Sequence, residues 1–65
     1  MTAEEILAAF RIKRVTQMEI ARKFGVSHVM VHQVIYGRSK SRRIQAEIAR
    51  ILEMSIDEIW TSYVA

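Results

Sequence analysis

A stripe of side chains able to contact other molecules runs through the middle of this 65-residue chain. Its members are His28, Val29, His32, Gln33 and Tyr36, and their spacing places them along one face if the segment is helical. A glutamine amide can make two hydrogen bonds to an adenine edge, and a histidine can bond to N7 of a guanine. A valine offers an apolar surface to the methyl group of a thymine. We therefore predict base contacts in the DNA major groove at His28, Val29, His32 and Gln33.

The same stripe has a plainer interpretation, a solvated helix face that carries polar residues at random. Solvent-facing helix positions are usually filled by Glu, Lys and Arg, a preference that His28, Val29 and His32 do not follow. We favour the binding interpretation for that reason. The four-residue spacing of His28 and His32 could also hold a metal ion, but no third ligand is evident in the sequence. We predict no metal site and no cofactor.

A positively charged segment, the basic loop (residues 38–43), comes directly after the stripe. Its four positive charges fall on Arg38, Lys40, Arg42 and Arg43. A charge run alone is more often a solvated loop than a binding site, but beside a helix in the major groove it would lie against the sugar–phosphate backbone. We predict phosphate contacts at all four, Lys40 and Arg43 foremost. Gln17 and Ser27, at the beginnings of two helices, add polar groups beside backbone N–H donors that suit anions.

Two short helices joined by a tight turn are predicted to position the stripe. Thr16 and Glu19 form a capping box at the first helix, and Gly25 stands where that helix should end at positive φ. Ser27 caps the second helix, and Ala21 is small enough for the two helices to cross closely. This pattern predicts a helix-turn-helix, which usually lays its second helix in the major groove. The alternative is two packed helices that serve only the fold.

Three further helices complete an all-α prediction with no strands. The first covers about residues 2–13 and the fourth about residues 42–52, with Ser41 as its N-cap; Gly37 ends the third. Capping boxes at Thr2–Glu5 and Ser55–Glu58 open the first and the fifth. The expected core is Ile6, Leu7, Phe10, Ile20, Ala21, Phe24, Met30, Val31, Val34, Ile35, Ile44, Ile48, Ala49, Ile51, Leu52, Ile56, Ile59 and Trp60.

Composition limits the remaining classes of protein. The chain is 51% hydrophobic with no proline and two glycines, which is typical of one small helical domain over residues 1–65. It has no cysteine, so disulfides and thiolate metal sites are excluded. No apolar run approaches the ~18 residues of a membrane span, and no signal-peptide pattern is present. We expect a soluble cytoplasmic protein without membrane contact or small-molecule ligand. Catalysis is not expected, because no phosphate loop or nucleophile–base set is found.

Residues 16–60 resemble the DNA-binding domains of lambdoid phage repressors and Cro, and the small Ner-type phage regulators. The resemblance rests on Gln17, Ala21, Gly25, Val31, Gly37, the basic loop, Ile48, Ala49, Leu52, Ser55 and Asp57. It implies a compact five-helix lambda-repressor-like domain, major-groove reading by the third helix, and a homodimer on a two-fold double-stranded DNA operator. The function implied is transcriptional regulation of phage or prophage type, most simply repression.

Position by position, the resemblance implies phosphate contacts at Gln17, Ser27, Tyr36, Lys40 and Arg43. It implies base contacts at His28, Val29 and Gln33. Relatives often have glutamine where His28 and Val29 stand, so their base preference does not transfer. Glu53 stands where glycine usually ends the fourth helix, which predicts a shifted or strained turn there.

Two questions stay open at the level of sequence. A helix-turn-helix could instead serve a protein-interaction module such as an antitoxin or anti-repressor, although the uniformly positive basic loop argues against it. Self-association would have to use the region of the fourth and fifth helices, where Met54, Trp60 and Tyr63 are candidates. Trp60 is expected in the core rather than in such an interface.

Overall fold

The computed structural model describes residues 1–60, which form five helices and no strand. The helices are α1 (Ala3–Lys13), α2 (Gln17–Phe24), α3 (His28–Ile35), α4 (Arg42–Leu52) and α5 (Ile56–Trp60). α2 packs against α3 and α4, and α4 packs in turn against α3 and α5. None of these helices is long and apolar enough to cross a membrane. The all-helical, five-helix prediction is confirmed; Tyr63 lies outside the described residues.

The helix beginnings agree with the predicted capping residues. In the box that opens α2, Thr16 Oγ1 accepts from the Glu19 backbone N–H and Glu19 Oε1 accepts from the Thr16 N–H, both at 3.1 Å. Equivalent reciprocal bonds join Thr2 to Glu5 and Ser55 to Glu58. At each of these starts, two N–H groups that lack a helical partner are therefore satisfied by side chains.

Ser41 is the exception among the predicted caps. It occupies the N-cap position of α4, but its hydroxyl makes no capping hydrogen bond. Its ψ of 109° differs from the 155–163° of Thr2, Thr16 and Ser27, so its side chain is aimed differently from theirs. No acidic residue lies in the first turn of α4 to complete a box. The position of the helix start was predicted correctly and its capping bond wrongly.

Each of the first four helices is followed within two residues by a residue in the left-handed region. Gly25 and Gly37 were predicted for this role and have φ of 66° and 77°. Arg14 and Glu53 take the same conformation with φ of 59° and 56°, although L residues with a Cβ atom adopt it at a cost. The predicted strain at Glu53 is therefore confirmed, without a shift of the turn, whereas the one at Arg14 was not foreseen.

The unfavourable conformation of Arg14 and Glu53 is retained because the residue after each of them is held by a hydrogen bond and by packing. The backbone N–H of Val15 donates to the Phe10 carbonyl at 2.8 Å, and that of Met54 donates to the Ala49 carbonyl at 3.1 Å. Val15 and Met54 are both packed against the core. Burial of these apolar side chains, together with the closing hydrogen bonds, holds the preceding residue at positive φ.

The core lies between α3 and the other helices. Fully or almost fully buried are Ala3, Ile6, Phe10, Ile20, Ala21, Val31, Val34, Ile35, Ile44, Ile48, Ala49, Ile59 and Trp60. The indole Nε1 of Trp60 donates to the Val34 carbonyl at 3.1 Å, so its core placement, expected from the sequence, is confirmed. Six residues that were predicted in the core are only partly buried: Leu7, Phe24, Met30, Ile51, Leu52 and Ile56. A domain this small has few positions that neighbours cover on every side.

We predict that Arg14→Gly and Glu53→Gly each stabilise the domain by about 0.5–1 kcal/mol, because glycine adopts positive φ without the penalty that a Cβ atom brings. Urea unfolding would measure the gain. Arg14→Ala is the control, since it removes the long side chain but keeps Cβ, and it should give no gain. Equal stability of Arg14→Gly and Arg14→Ala would contradict the explanation.

Candidate nucleic-acid interface

The outward face of α3 carries the four residues that the sequence predicted as base contacts. His28, Val29, His32 and Gln33 are all exposed. The opposite face is inaccessible, with Val31, Val34 and Ile35 each 0% exposed. One face of α3 is therefore packed in the core, and the opposite face is exposed to solvent. The four predicted residues lie together on that exposed face.

Tyr36, at the end of this stripe, is half-buried. Its ring lies against the His32 imidazole, with centroids 4.4 Å apart and planes inclined by 55°. Contacts of this kind favour one relative orientation of two rings. The imidazole of His32 is thus restrained by a neighbour one helical turn away, while the ring of His28 has no such contact in the described part of the chain.

The turn before α3 is specified by backbone conformation. A Cβ atom added to Gly25 would meet no atom within 4 Å, so the glycine is required by its φ of 66° and not by lack of room. The Val26 N–H donates to the Ala21 carbonyl at 3.0 Å, and the Ser27 hydroxyl accepts from the Met30 N–H at 3.3 Å. Together they fix the direction in which α3 leaves α2, and hence the direction of the stripe.

The basic loop is tied back to the end of α3. The N–H groups of Arg38 and Ser39 both donate to the Gln33 carbonyl, at 2.8 and 3.3 Å. The Ser39 hydroxyl lies 3.5 Å from Sδ of Met30, which packs against the core. The backbone that carries Arg38 and Lys40 is therefore held close to the stripe, and both of their side chains are exposed.

Arg42 and Arg43 lie in the first turn of α4, and both are exposed. The guanidinium of Arg43 stands 5.2 Å above the ring centre of Phe24, a cation–π contact between α4 and α2 that the sequence did not reveal. Positive side chains at a helix N-terminus are repelled by the positive end of the helix dipole. A bound anion would remove that repulsion.

The remaining predicted contacts lie at helix starts. Ser27 is exposed, and Gln17 is half-buried at the first position of α2. Gln17 lines a shallow surface pocket together with Arg11 of α1. Arg11 was not predicted as part of the site. Arg11 precedes Gln17 by six residues, and the short connection between α1 and α2 brings both residues to the same pocket.

Acidic side chains are absent from the centre of the chain. No Asp or Glu occurs between Ile20 and Ala46, a stretch that includes all of α3 and the basic loop. Ion pairs elsewhere in the described part of the chain involve Lys13, Lys23 and Arg50. The cations of the basic loop take part in none of these pairs. Within residues 1–60, this surface therefore presents positive charge that no acidic side chain compensates, beside the exposed stripe of α3.

An ion-pair cluster on the flank of the site holds α4 against α2. The side chain of Glu47 is 10% exposed and accepts hydrogen bonds from Arg50 at 2.7 Å and from Lys23 at 3.0 Å. The Arg50 hydrogen bond is the main cause that lowers the pKa of Glu47 to about 2, and Lys23 adds to it. Because Lys23 belongs to α2, this carboxylate helps to fix where α4 carries Arg42 and Arg43.

Neither a metal site nor a similarity to another protein gives further information on this surface. Residues 1–60 contain no cluster of three or more His, Cys, Asp or Glu side chains that could hold a metal ion. Comparison of the chain with protein-family models, curated proteins and solved structures finds no match.

We predict that Glu47→Gln lowers the free energy of unfolding by about 1 kcal/mol at pH 7 and has almost no effect near pH 2. The folded-state pKa lies below the ordinary 4.5, so the stabilisation is present above pH 4.5 and is lost as the pH falls towards 2. Both cations are more than half exposed, and solvent screening keeps the magnitude small. Urea titrations at the two pH values would measure it.

Glu53→Gln is the matched control for this prediction. Glu53 pairs with Lys13 at 3.8 Å, and both side chains are exposed, so its removal should change stability little at either pH. An equal loss at pH 7 and pH 2 for Glu47→Gln would show that packing, and not the charge, accounts for the effect.

Proposed function

We propose that the protein is a sequence-specific double-stranded DNA-binding transcriptional regulator, a repressor of phage or prophage type with a lambda-repressor-like fold. In this proposal α2 and α3 form the helix-turn-helix, and residues 27–36 are the recognition segment that enters the major groove. The basic loop lies along the phosphates. The observation that carries the proposal is the adjacency of an exposed, acid-free helix face and a set of cations that form no ion pair within residues 1–60.

The two parts of the surface would contribute differently to binding. Phosphate contacts from the basic loop, with Gln17, Ser27 and Tyr36, give affinity and orientation on any duplex. Contacts from His28, Val29, His32 and Gln33 depend on the base pair. With about four to six phosphate contacts per protomer, the logarithm of the affinity should fall with the logarithm of salt at a slope near −4 to −5 for each protomer, and about twice that for a homodimer on both half-sites.

The size of the domain supports a pair of copies on the DNA. Its extents are 30 × 24 × 17 Å, so α3 of one copy can serve only one half-site. Half-sites on the same face of B-DNA are about 34 Å apart. Two domains with a longest dimension of 30 Å fit side by side at that spacing. In this proposal the partner is a two-fold operator bound by a homodimer, and the bacterial cytoplasm is the place of action that the resemblance to phage regulators implies.

Selection of bound sequences from a random duplex pool, at two salt concentrations, tests the proposal directly. Enrichment of a two-fold motif with half-sites about one helical turn apart would support it. Binding without enrichment would contradict sequence-specific regulation. Absence of binding at low salt would overturn the proposal and favour the protein-interaction module, which retains the fold without a DNA partner.

We predict that Lys40→Glu combined with Arg43→Glu weakens DNA binding at least 100-fold and reduces the salt slope by about 2 for each protomer, because two phosphate contacts per protomer are lost. Titration of the selected duplex at several salt concentrations would measure both quantities. Arg14→Glu combined with Arg22→Glu makes the same change in net charge outside α3 and the basic loop. This control should keep the slope of the parent protein. If both double variants lose affinity equally, overall charge and not the basic loop governs binding.

We predict that Gln33→Ala costs about 1–3 kcal/mol at one base pair of each half-site and relaxes the preference there, because the bidentate bond to adenine is lost. Binding to a panel of single-base operator variants would locate the position. Gln17→Ala is the control, since a phosphate contact should lower the affinity for all sequences equally. A uniform loss for Gln33→Ala would assign that residue to the backbone instead.

A further inference from the structure

The aromatic ring of Phe24, the last residue of α2, has two cations within reach. Its side chain is half-buried and packs against the core. The guanidinium carbon of Arg43 stands 5.2 Å from the ring centre, and Nζ of Lys23 stands 5.9 Å from it. Both distances fall within the ~6 Å over which a ring face attracts a cation. Arg43 belongs to α4, so its contact with the ring joins two helices.

The two cations differ in how their charge is compensated. Lys23 also donates to the carboxylate of Glu47 at 3.0 Å, and this carboxylate is almost buried. Arg43 is exposed and forms no ion pair within residues 1–60. In this part of the chain, its guanidinium is therefore held by an aromatic ring and not by an acid.

A ring contact suits an arginine that has to bind a phosphate. The ring attracts the positive charge without neutralising it, so the charge remains available to an anion. A guanidinium carries five N–H donors in a fork that fits phosphate oxygens, and a carboxylate partner would occupy some of them. An ion pair of that kind would have to break before DNA could bind, whereas the ring contact leaves the donors to the ligand.

The ring contact also bears on the entropy of binding. A long side chain that is fixed on a phosphate loses rotational freedom, and this loss lowers the affinity. A contact that already restrains the Arg43 side chain in the free protein removes part of that loss at the moment of binding. The benefit can be no larger than the strength of the ring contact itself.

We propose that Phe24 is a positioning residue of the DNA interface, which holds the guanidinium of Arg43 ready for a phosphate. The inference rests on the proposed function and deepens it, because it adds a residue outside the predicted contacts on which a phosphate contact depends. Since phosphates are alike on every duplex, Phe24 contributes to affinity and not to the preference among base pairs.

Phe24→Leu tests the role of the ring, because leucine keeps an apolar side chain at this position and removes the aromatic face. Its affinity for the duplex obtained by selection should fall about 2- to 5-fold for each protomer, and about 5- to 25-fold for a homodimer on both half-sites. Phe24→Tyr keeps the ring and should bind as the parent protein does. Circular dichroism and urea unfolding would verify that each variant is folded under the binding conditions.

A second substitution assigns the effect to Arg43. In an Arg43→Gln background, Phe24→Leu should change the affinity by less than about 1.5-fold, because the cation that the ring positions is absent. Arg42→Gln is the matched control background. Arg42 is also exposed in the first turn of α4, but it makes no ring contact within residues 1–60. There the full loss should persist. An equal loss in both backgrounds would assign the effect to the packing of α2 and contradict the proposal.

The preference among base pairs provides a readout that a general disturbance of the fold would move. On a panel of single-base operator variants, Phe24→Leu should weaken binding to all members by the same factor. If α3 were displaced by the substitution, the order of preference would change. A changed order would therefore overturn the positioning role.

The contact itself can be tested without DNA. In the free protein, the ring current of Phe24 should shift the side-chain proton resonances of Arg43 upfield, and Phe24→Leu should abolish that shift. Absence of the shift in the parent protein would overturn the inference whatever the protein binds.

The outcomes distinguish this inference from the function on which it rests. Failure of the parent protein to bind any duplex would overturn the proposed function, and the role of Phe24 with it. Specific binding by the parent protein, with an unchanged or higher affinity of Phe24→Leu, would overturn only the role of Phe24.

Discussion

The burial of one face of α3 is the constraint on which the rest of the structure depends. Val31, Val34 and Ile35 are each 0% exposed, and the Trp60 indole bonds to the Val34 carbonyl. A helix of eight residues cannot be stable in water by itself, so packing must hold it. Because the apolar face is enclosed by the other helices, the opposite face has to point outwards. Packing of the apolar face therefore both stabilises the core and leaves His28, Val29, His32 and Gln33 exposed.

Charge is arranged around that helix at some cost to stability. Two arginines open α4 where a helix dipole favours negative charge, and Ser41 does not supply the capping bond that the other predicted caps make. The Glu47 cluster and the contact of Arg43 with Phe24 stabilise the same region from α2. Unfavourable local interactions that tertiary contacts compensate are expected at functional sites, and the proposed function would account for them here.

The sequence predicted the features decided within one turn of helix and missed those decided between helices. The capping boxes, Gly25 and the bounds of α4 depend on residues three or four apart, which periodicity can detect. The burial of Gln45 and the ion pair between Glu47 and Lys23 depend on which helices meet. Arg14 is intermediate: its positive φ results from the burial of Val15, and no local pattern of residue types indicates it.

On the proposed function, affinity and discrimination come from different kinds of group. The basic loop contains the cations, and the stripe contains no Arg or Lys. Counterion release makes phosphate contacts depend strongly on salt, and those contacts are the same on every duplex. Contacts by Val29 and Gln33 involve no net charge and differ between base pairs. Salt should therefore change the affinity for all duplexes together. The contribution of these two residues to the preference among duplexes stays nearly constant, because neutral side chains determine it.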